Sequence, residues 1–480
     1  MNQSVFFSLS AALAFTLLSL VSCSKAAEEN PKGPDNITFP DNKDGKYTIS
    51  KIFSNGMVLQ RNAEIAVFGK ADPGRAITVR GSWSDESVTV YPYLDGNYIA
   101  RIKTPEAGGP YTLSVNDSLF TDVMIGEVWL CSGQSNMQLR VSQTNKLGLF
   151  NENNPNIRMF TIPMVSTAKE PVDTLSGGQW YYGPINDIQA QVSAVGYYFA
   201  RKLQTELDVP IGMIFSARGS TGAEEWLNAD IFNSLPQEIR DPFTTTVDPA
   251  EKWPGRWYNT MICPIFNYTV TGTIWYQGEN NSSRPATYPT LMSELVGDWR
   301  RNFDNPDMPF YMVQLPSFKR DWWPEFRVVQ EKTAERINNC KFITTIDTGE
   351  ETNIHPKRKL EVGERLGELA LSNVYGLAGF RKDPPVFDKM EKDGEYVKVY
   401  YKNVSGLKLT SGESPLHFEI CGSDGVFYPA NAEIAGDNAI LLSSPDVPNP
   451  DGARYFWVGY AKPNIATDDG WPLAPFNTTL

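Results

Sequence analysis

Between about Val123 and Ala378 the chain alternates short, wholly apolar runs with amphipathic segments, and this alternation constrains the fold more than any other feature. EVWLC (127–131), IGMIF (211–215), GTIWY (272–276), FYMVQL (310–315) and FITTID (342–347) each read as a strand buried on both faces. Runs of that kind suit a parallel sheet, whose crossover connections lay helices on both sides. The intervening pattern is helical. Val192, Val195, Phe199 and Leu203 share one face of Gln191 to Leu207, and Leu360, Leu366 and Leu369 form a stripe after His355.

The flanks have a different grammar. From Tyr47 to Asp122, IAVFGK, AITVRGSW and VTVYPYL are punctuated by Asp72-Pro73-Gly74 and Asp95-Gly96, as in antiparallel strands joined by tight turns. After Gly379 the same grammar returns in VKVYYK, HFEICG, AILLSS and RYFWVGYA. The expected organisation is therefore an address segment (1–22), a tether (23–46), a sandwich-like β domain (47–122), an α/β domain (123–378) and a second β domain (379–480). The 480 residues accommodate this at roughly 150 per domain, and a 41 % hydrophobic content supplies the cores.

Residues Val5 to Val21 are apolar but too few and too close to the terminus for a comfortable membrane span. The run ends in Leu20-Val21-Ser22-Cys23, which resembles the lipobox of bacterial lipoproteins. That resemblance implies cleavage before Cys23, lipidation of its thiol, and a protein anchored to a membrane outside the cytoplasm, in the periplasm or at the cell surface. The polar stretch from Ser24 to Lys46 then reads as a flexible tether.

Composition narrows the chemistry. With 56 acidic against 43 basic residues the net charge is -13, which argues against a nucleic-acid partner. Two histidines, His355 and His417, are too few for a histidine-cluster zinc site. Five cysteines without a CxxC pair rule out a zinc ribbon or a thioredoxin-type motif. No metal and no organic cofactor is expected. Cys131, Cys263, Cys340 and Cys421 could pair, in three possible ways, although Cys131 sits in a buried-type strand and reads as a small core residue.

In an open parallel sheet, ligands bind beyond the carboxyl ends of the strands. After EVWLC comes Ser132-Gly133-Gln134-Ser135-Asn136-Met137, where small residues permit a tight turn that exposes the Ser135 hydroxyl; the same residue would also serve as a helix cap. After IGMIF, Gly219 allows a backbone N–H to approach a ligand oxygen. After GTIWY, Gln277 can donate its amide to an oxyanion. After FITTID, Pro356 stiffens the loop that carries His355, whereas His417 lies in the C-terminal β domain. A serine, a histidine and amide donors at one edge are the parts of serine acyl transfer.

The run Gly126 to Met137 resembles the nucleophile block of the sialate O-acetylesterase family, within the SGNH/GDSL hydrolase superfamily. Trp275-Tyr276-Gln277-Gly278-Glu279-Asn280-Asn281 is similar to its WYQGESN block, and Ile354-His355-Pro356 with Lys359, Val362-Gly363 and Arg365-Leu366 to its histidine block. Met57-Val58-Leu59-Gln60 and Gln314-Leu315-Pro316 match as well. The resemblance implies an SGNH-type parallel sheet with helices on both faces, flanked by N- and C-terminal antiparallel β domains. It implies Ser135 as nucleophile, His355 as base, and an oxyanion site built from the N–H groups of Ser135 and Gly219 and the Gln277 amide. Two positions depart from the family. Gly219-Ser220-Thr221 replaces GGT, and Asn353 and Thr352 stand where an aspartate is usual. The base is then oriented by Asn353 or a carbonyl in a Ser135–His355 dyad, or by the charge of Asp347 or a nearby glutamate. The implied substrate is O-acetylated sialic acid, whose carboxylate Arg218, Arg284 or Arg140 could meet. The alternatives are an acetylated plant polysaccharide such as xylan, or an inactive surface glycan-binding lipoprotein.

Overall fold

A computed structural model describes residues 41–165 and 168–480. The apolar N-terminal run, Cys23 and most of the tether lie outside the described residues. Among the described residues no helix is long and apolar enough to cross a membrane.

Seven strands form the central sheet: β1 (Ser118–Gly133), β2 (Asn153–Thr161), β3 (Gln179–Pro184), β4 (Ile211–Ala217), β5 (Gly272–Tyr276), β6 (Phe310–Val313) and β7 (Cys340–Ile343). Their order is β3-β2-β4-β1-β5-β6-β7, parallel throughout except for β3, which pairs antiparallel with β2 at the edge. The strands predicted from apolar runs all form. β5 matches residue for residue, while β6 and β7 stop early. Beyond them the backbone is held by side chains instead of ladder bonds, with Thr345 Oγ1 donating to Gln314 O (2.6 Å).

Register sets the two faces. Gly272 pairs with Trp129 and Trp275 with Ser132, so Trp129 and Trp275 stand on opposite sides of the sheet. Trp129 meets Phe199 of helix α2 (Ala194–Leu207), with ring centroids 5.0 Å apart, and Trp275 meets Trp299 of α3 (Tyr288–Asn302) at 5.8 Å. α4 (Trp323–Arg336) packs beside α3, and α5 (Leu360–Asn373) beside α2. The α2–α5 contact is close enough to demand glycine, since a Cβ on Gly363 would fall 2.4 Å from that of Tyr198. α2 begins at Ala194 because Ser193 Oγ caps it, accepting from Gly196 N (3.2 Å).

The boundary expected at 122/123 falls inside β1. The first part of this long strand pairs antiparallel with Gly108–Val115 and parallel with Val58–Gln60, and its second part is the middle of the central sheet. One apolar core accordingly runs from Ile52 through both regions. The C-terminal region has its own core, with Val397, Ile420 and Tyr455, between two four-stranded antiparallel sheets. It latches onto the α/β body through Phe318 N–Gly459 O (2.7 Å), Ser317 Oγ–Ala461 O (2.9 Å) and the buried Arg327, which donates to Val458 O and Gly459 O. The architecture is the α/β sheet with helices on both faces, flanked by antiparallel β structure.

Candidate active site

Register also levels the strand ends. Gly133 lies opposite both Ala217 and Tyr276, so Gln134-Ser135, Arg218-Gly219 and Gln277 leave the sheet side by side. Gly133 takes φ +132°, and a Cβ there would sit 2.2 Å from the carbonyl oxygen of Tyr276, so no other residue fits the turn. Gln134 N then donates to Tyr276 O (2.9 Å), and one helical turn, α1 (Ser135–Gln138), comes next. The Ser135 N–H finds no acceptor among the described residues. Ser193 Oγ donates to Met137 O (2.7 Å), tying α1 to the start of α2.

Ser135 Oγ and His355 Nε2 are 2.8 Å apart. The histidine loop is shaped by Asn353. Its Oδ1 accepts from His355 N (3.0 Å), and its Nδ2 donates to His355 O (2.9 Å) and Glu350 Oε2 (3.0 Å). Glu350 Oε1 in turn accepts from Lys357 N (2.8 Å). Asn353 therefore positions the backbone of His355 and not its ring, and Nδ1 has no hydrogen-bond partner among the described residues. Burial and the nearby Lys359 ammonium push the imidazole below its ordinary pKa. It is thus neutral near pH 7 and able to take a proton from Ser135.

Behind this pair runs a buried bridge. Asn136 Nδ2 donates to Glu279 Oε1 (2.5 Å) and Ile354 O (2.9 Å), while its Oδ1 accepts from Lys359 Nζ (2.6 Å). One amide thereby links the residue after the serine to the residue before the histidine. Burial raises the Glu279 carboxyl and lowers the Lys359 ammonium. Sequence reasoning gave these residues no role. In the sequence they are polar residues among other polar residues of the motif blocks, and their burial, which demands partners, is visible only in the fold.

Several residues singled out from the sequence are directed elsewhere. Gln277 is fully buried, and its Nε2 faces Asn281 Oδ1 (2.7 Å), Thr221 O (3.1 Å) and Gln134 Oε1 (3.2 Å), so both amide hydrogens are committed within the protein. Gly219 N donates to Gln138 Oε1 (2.6 Å), a part-exposed side chain that would have to swing aside to free it. Asp347 forms a two-pronged pair with Arg365 (2.8 and 2.7 Å) and makes no bond to His355, so of the alternatives for orienting the base its charge is the one engaged elsewhere. Burial alone would raise the Asp347 carboxyl, yet Arg365 brings it below its ordinary value. Arg284 is held by the buried Glu224 (3.1 Å), Arg218 lies near the Trp257 ring, and Arg140 lies over Phe215 and donates to Gln191 O. His417 stays in the C-terminal domain with its ring on Lys462 O (3.2 Å). Cys131, Cys340 and Cys421 are free, buried thiols. Among the described residues no cluster of His, Cys, Asp and Glu could hold a metal ion.

A cleft of about 410 Å³ opens beside the loop after β5, bounded by Glu279, Asn280, Lys252, Arg320 and Trp322. Asn280 N donates to Gln134 Oε1 (3.2 Å) and Lys252 Nζ to Ser220 O (2.6 Å), so the cleft abuts the residues beside Ser135 and Gly219. Trp322 is 44 % exposed and pinned by its Nε1 bond to Ser282 Oγ (3.1 Å), the geometry of a fixed stacking wall. Arg320 lies near that ring and has no ion-pair partner among the described residues.

Comparison with known proteins agrees with this geometry. The chain is 30 % identical to a carbohydrate acetylesterase of Xanthomonas citri of known structure, with a TM-score of 0.81 over 90 % of this chain and 99 % of that one. It is 28 % identical to human sialate O-acetylesterase over 86 % of this chain and 88 % of that protein, and 27 % identical to the mouse enzyme over 72 % and 76 %. Residues 125–372, just over half of the chain and the span that holds Ser135 and His355, match the model of a family described as carbohydrate esterase, sialic acid-specific acetylesterase. The chain belongs to this sialic acid-specific acetylesterase family of carbohydrate esterases.

Proposed function

We propose that this carbohydrate esterase releases acetate from O-acetylated sialic acid through a Ser135 nucleophile and an acyl-enzyme. The observation that carries the reading is the 2.8 Å contact between Ser135 Oγ and His355 Nε2 at the carboxyl edge of the sheet. Ser135 Oγ bonds to the acetyl carbon as its proton passes to His355 Nε2, and the carbonyl π pair moves onto the acetyl oxygen. Collapse breaks the bond to the sugar oxygen, which leaves with the proton from His355. Water, deprotonated by the same imidazole, then attacks the acetyl-serine and releases acetate. Each donor to the oxyanion contributes on the order of 3 kcal/mol to the transition state.

The sialate part of the reading is supported by the family description and the human relative, and by Arg320, a cation in the cleft wall with no ion-pair partner among the described residues and fit for a sugar carboxylate. The test is acetate release from 9-O-acetylated sialic acid against acetylated xylan, with Ser135→Ala as control. Sialate should be the better substrate by kcat/KM, and Ser135→Ala should abolish release. Equal or better turnover of xylan would reject the sialate assignment, and an active Ser135→Ala would reject the serine mechanism.

A further inference from the structure

We propose that Gln134 is a catalytic residue whose side-chain Nε2 donates to the acetyl oxygen as that oxygen becomes an anion, the part that sequence reasoning had given to Gln277. The proposal rests on the Ser135 reading above. Gln134 is only 3 % exposed, and its Oε1 faces three N–H donors: Gln277 Nε2 (3.2 Å), Asn280 N (3.2 Å) and Gly278 N (3.4 Å). Three donors converging on one end identify that end as the oxygen and lock the amide plane. The other end, Nε2, has no acceptor among the described residues. Because it is not among the buried unpaired side-chain atoms, this N–H reaches solvent at the mouth of the site, where a substrate oxygen can meet it.

Placement supplies the rest. Gln134 directly precedes the nucleophile, and the Ser135 N–H is likewise without an acceptor. The two donors that sequence reasoning added, Gly219 N–H and the Gln277 amide, are both spent inside the protein. Gln277 thus acts one step back, as a positioning residue that helps clamp Gln134. Three N–H groups on the Gln134 oxygen also polarise its amide and strengthen it as a donor. As Ser135 Oγ bonds to the acetyl carbon and its proton moves to His355, the electron pair arriving on the acetyl oxygen is met by Gln134 Nε2–H and Ser135 N–H.

Gln134→Glu separates catalysis from folding. One carboxylate oxygen accepts the same three N–H groups, so the loop stays clamped, while the other is an acceptor that faces the oxyanion and repels it. On 4-nitrophenyl acetate at pH 7.5, kcat should fall by about 100-fold or more, with KM within about threefold and no loss of melting temperature. A kcat within about threefold of wild type overturns the proposal, as does a defect confined to KM or to melting temperature. If Gln134→Glu does not fold, Gln134→Ala is judged by the same kcat criterion. Ser135→Ala, assayed in parallel, keeps the two readings apart. Should it remain active, the serine mechanism itself fails, whereas an inactive Ser135→Ala beside an active Gln134→Glu removes only the role given to Gln134.

Discussion

The loops that carry Ser135 and Gln277 leave neighbouring strands at the same level, Gly133 opposite Tyr276, yet their polar groups meet opposite fates. Ser135 offers Oγ to His355 alone and leaves its N–H open, whereas Gln277 is surrounded by three protein acceptors. The same contrast recurs after β7, where Asp347 is engaged by Arg365 and His355 Nδ1 has no partner among the described residues. Arrival at the catalytic edge is therefore not enough. Residues whose donors or charge the protein has already engaged hold the scaffold, and residues whose N–H or basic nitrogen it leaves open are available to a substrate.

Substitutions on the two sides of this contrast should fail in different ways. His355→Ala should lower kcat on 4-nitrophenyl acetate by about 10⁴-fold or more while leaving the urea midpoint near wild type; a variant with substantial turnover would place the base elsewhere. Asp347→Asn should do the reverse. It leaves Arg365 without its charge partner and should cost about 2 kcal/mol in urea unfolding, less than a fully buried pair because Asp347 is partly exposed. Its kcat, measured on the folded protein, should stay within about threefold of wild type. Because the folded carboxyl lies below its ordinary value, the pair's contribution is present above the unfolded carboxylate range near pH 4 and fades as pH falls through the lower folded value. The difference in stability between wild type and Asp347→Asn should shrink on acidification, and an activity loss without a stability loss would give Asp347 a place in the reaction.

Two smaller effects refine the histidine side. Asn353→Ala removes the hydrogen bonds that shape the loop and should lower kcat by about tenfold through misplacement of the imidazole, read with the Ser135 labelling rate by a fluorophosphonate. An unchanged rate would mean that Pro356 and the backbone suffice. Lys359→Met removes a cation that helps hold the imidazole pKa below 6.5. The base works when neutral, so the acid limb of kcat/KM should move to higher pH in this variant, and a limb that stays in place would exclude Lys359 from tuning the base.

The order of strands and helices was legible in the sequence because apolar periodicity and turn residues act over a few positions. EVWLC, IGMIF and GTIWY form as strands, and the loop leaving each of them lies at the sheet edge, as expected. The junction near 122 was less legible, because β1 continues straight through it even though Asp122, a residue type common in turns, stands there with φ +55°. Gln277 misled for a related reason. A polar residue after a buried strand looks the same in sequence whether its amide faces a ligand or a neighbouring loop.

By itself the sequence determined the α/β alternation and the presence of one serine and one histidine beyond the ends of strands in the same sheet. Which polar atoms are paired was decided only by the tertiary structure. Asp347 with Arg365 lies 18 positions away, and Lys359 with Asn136 lies 223 away. Local preferences cannot reach across such intervals. Packing brings these groups out of water together, and each buried donor or acceptor then takes the partner that lies within reach.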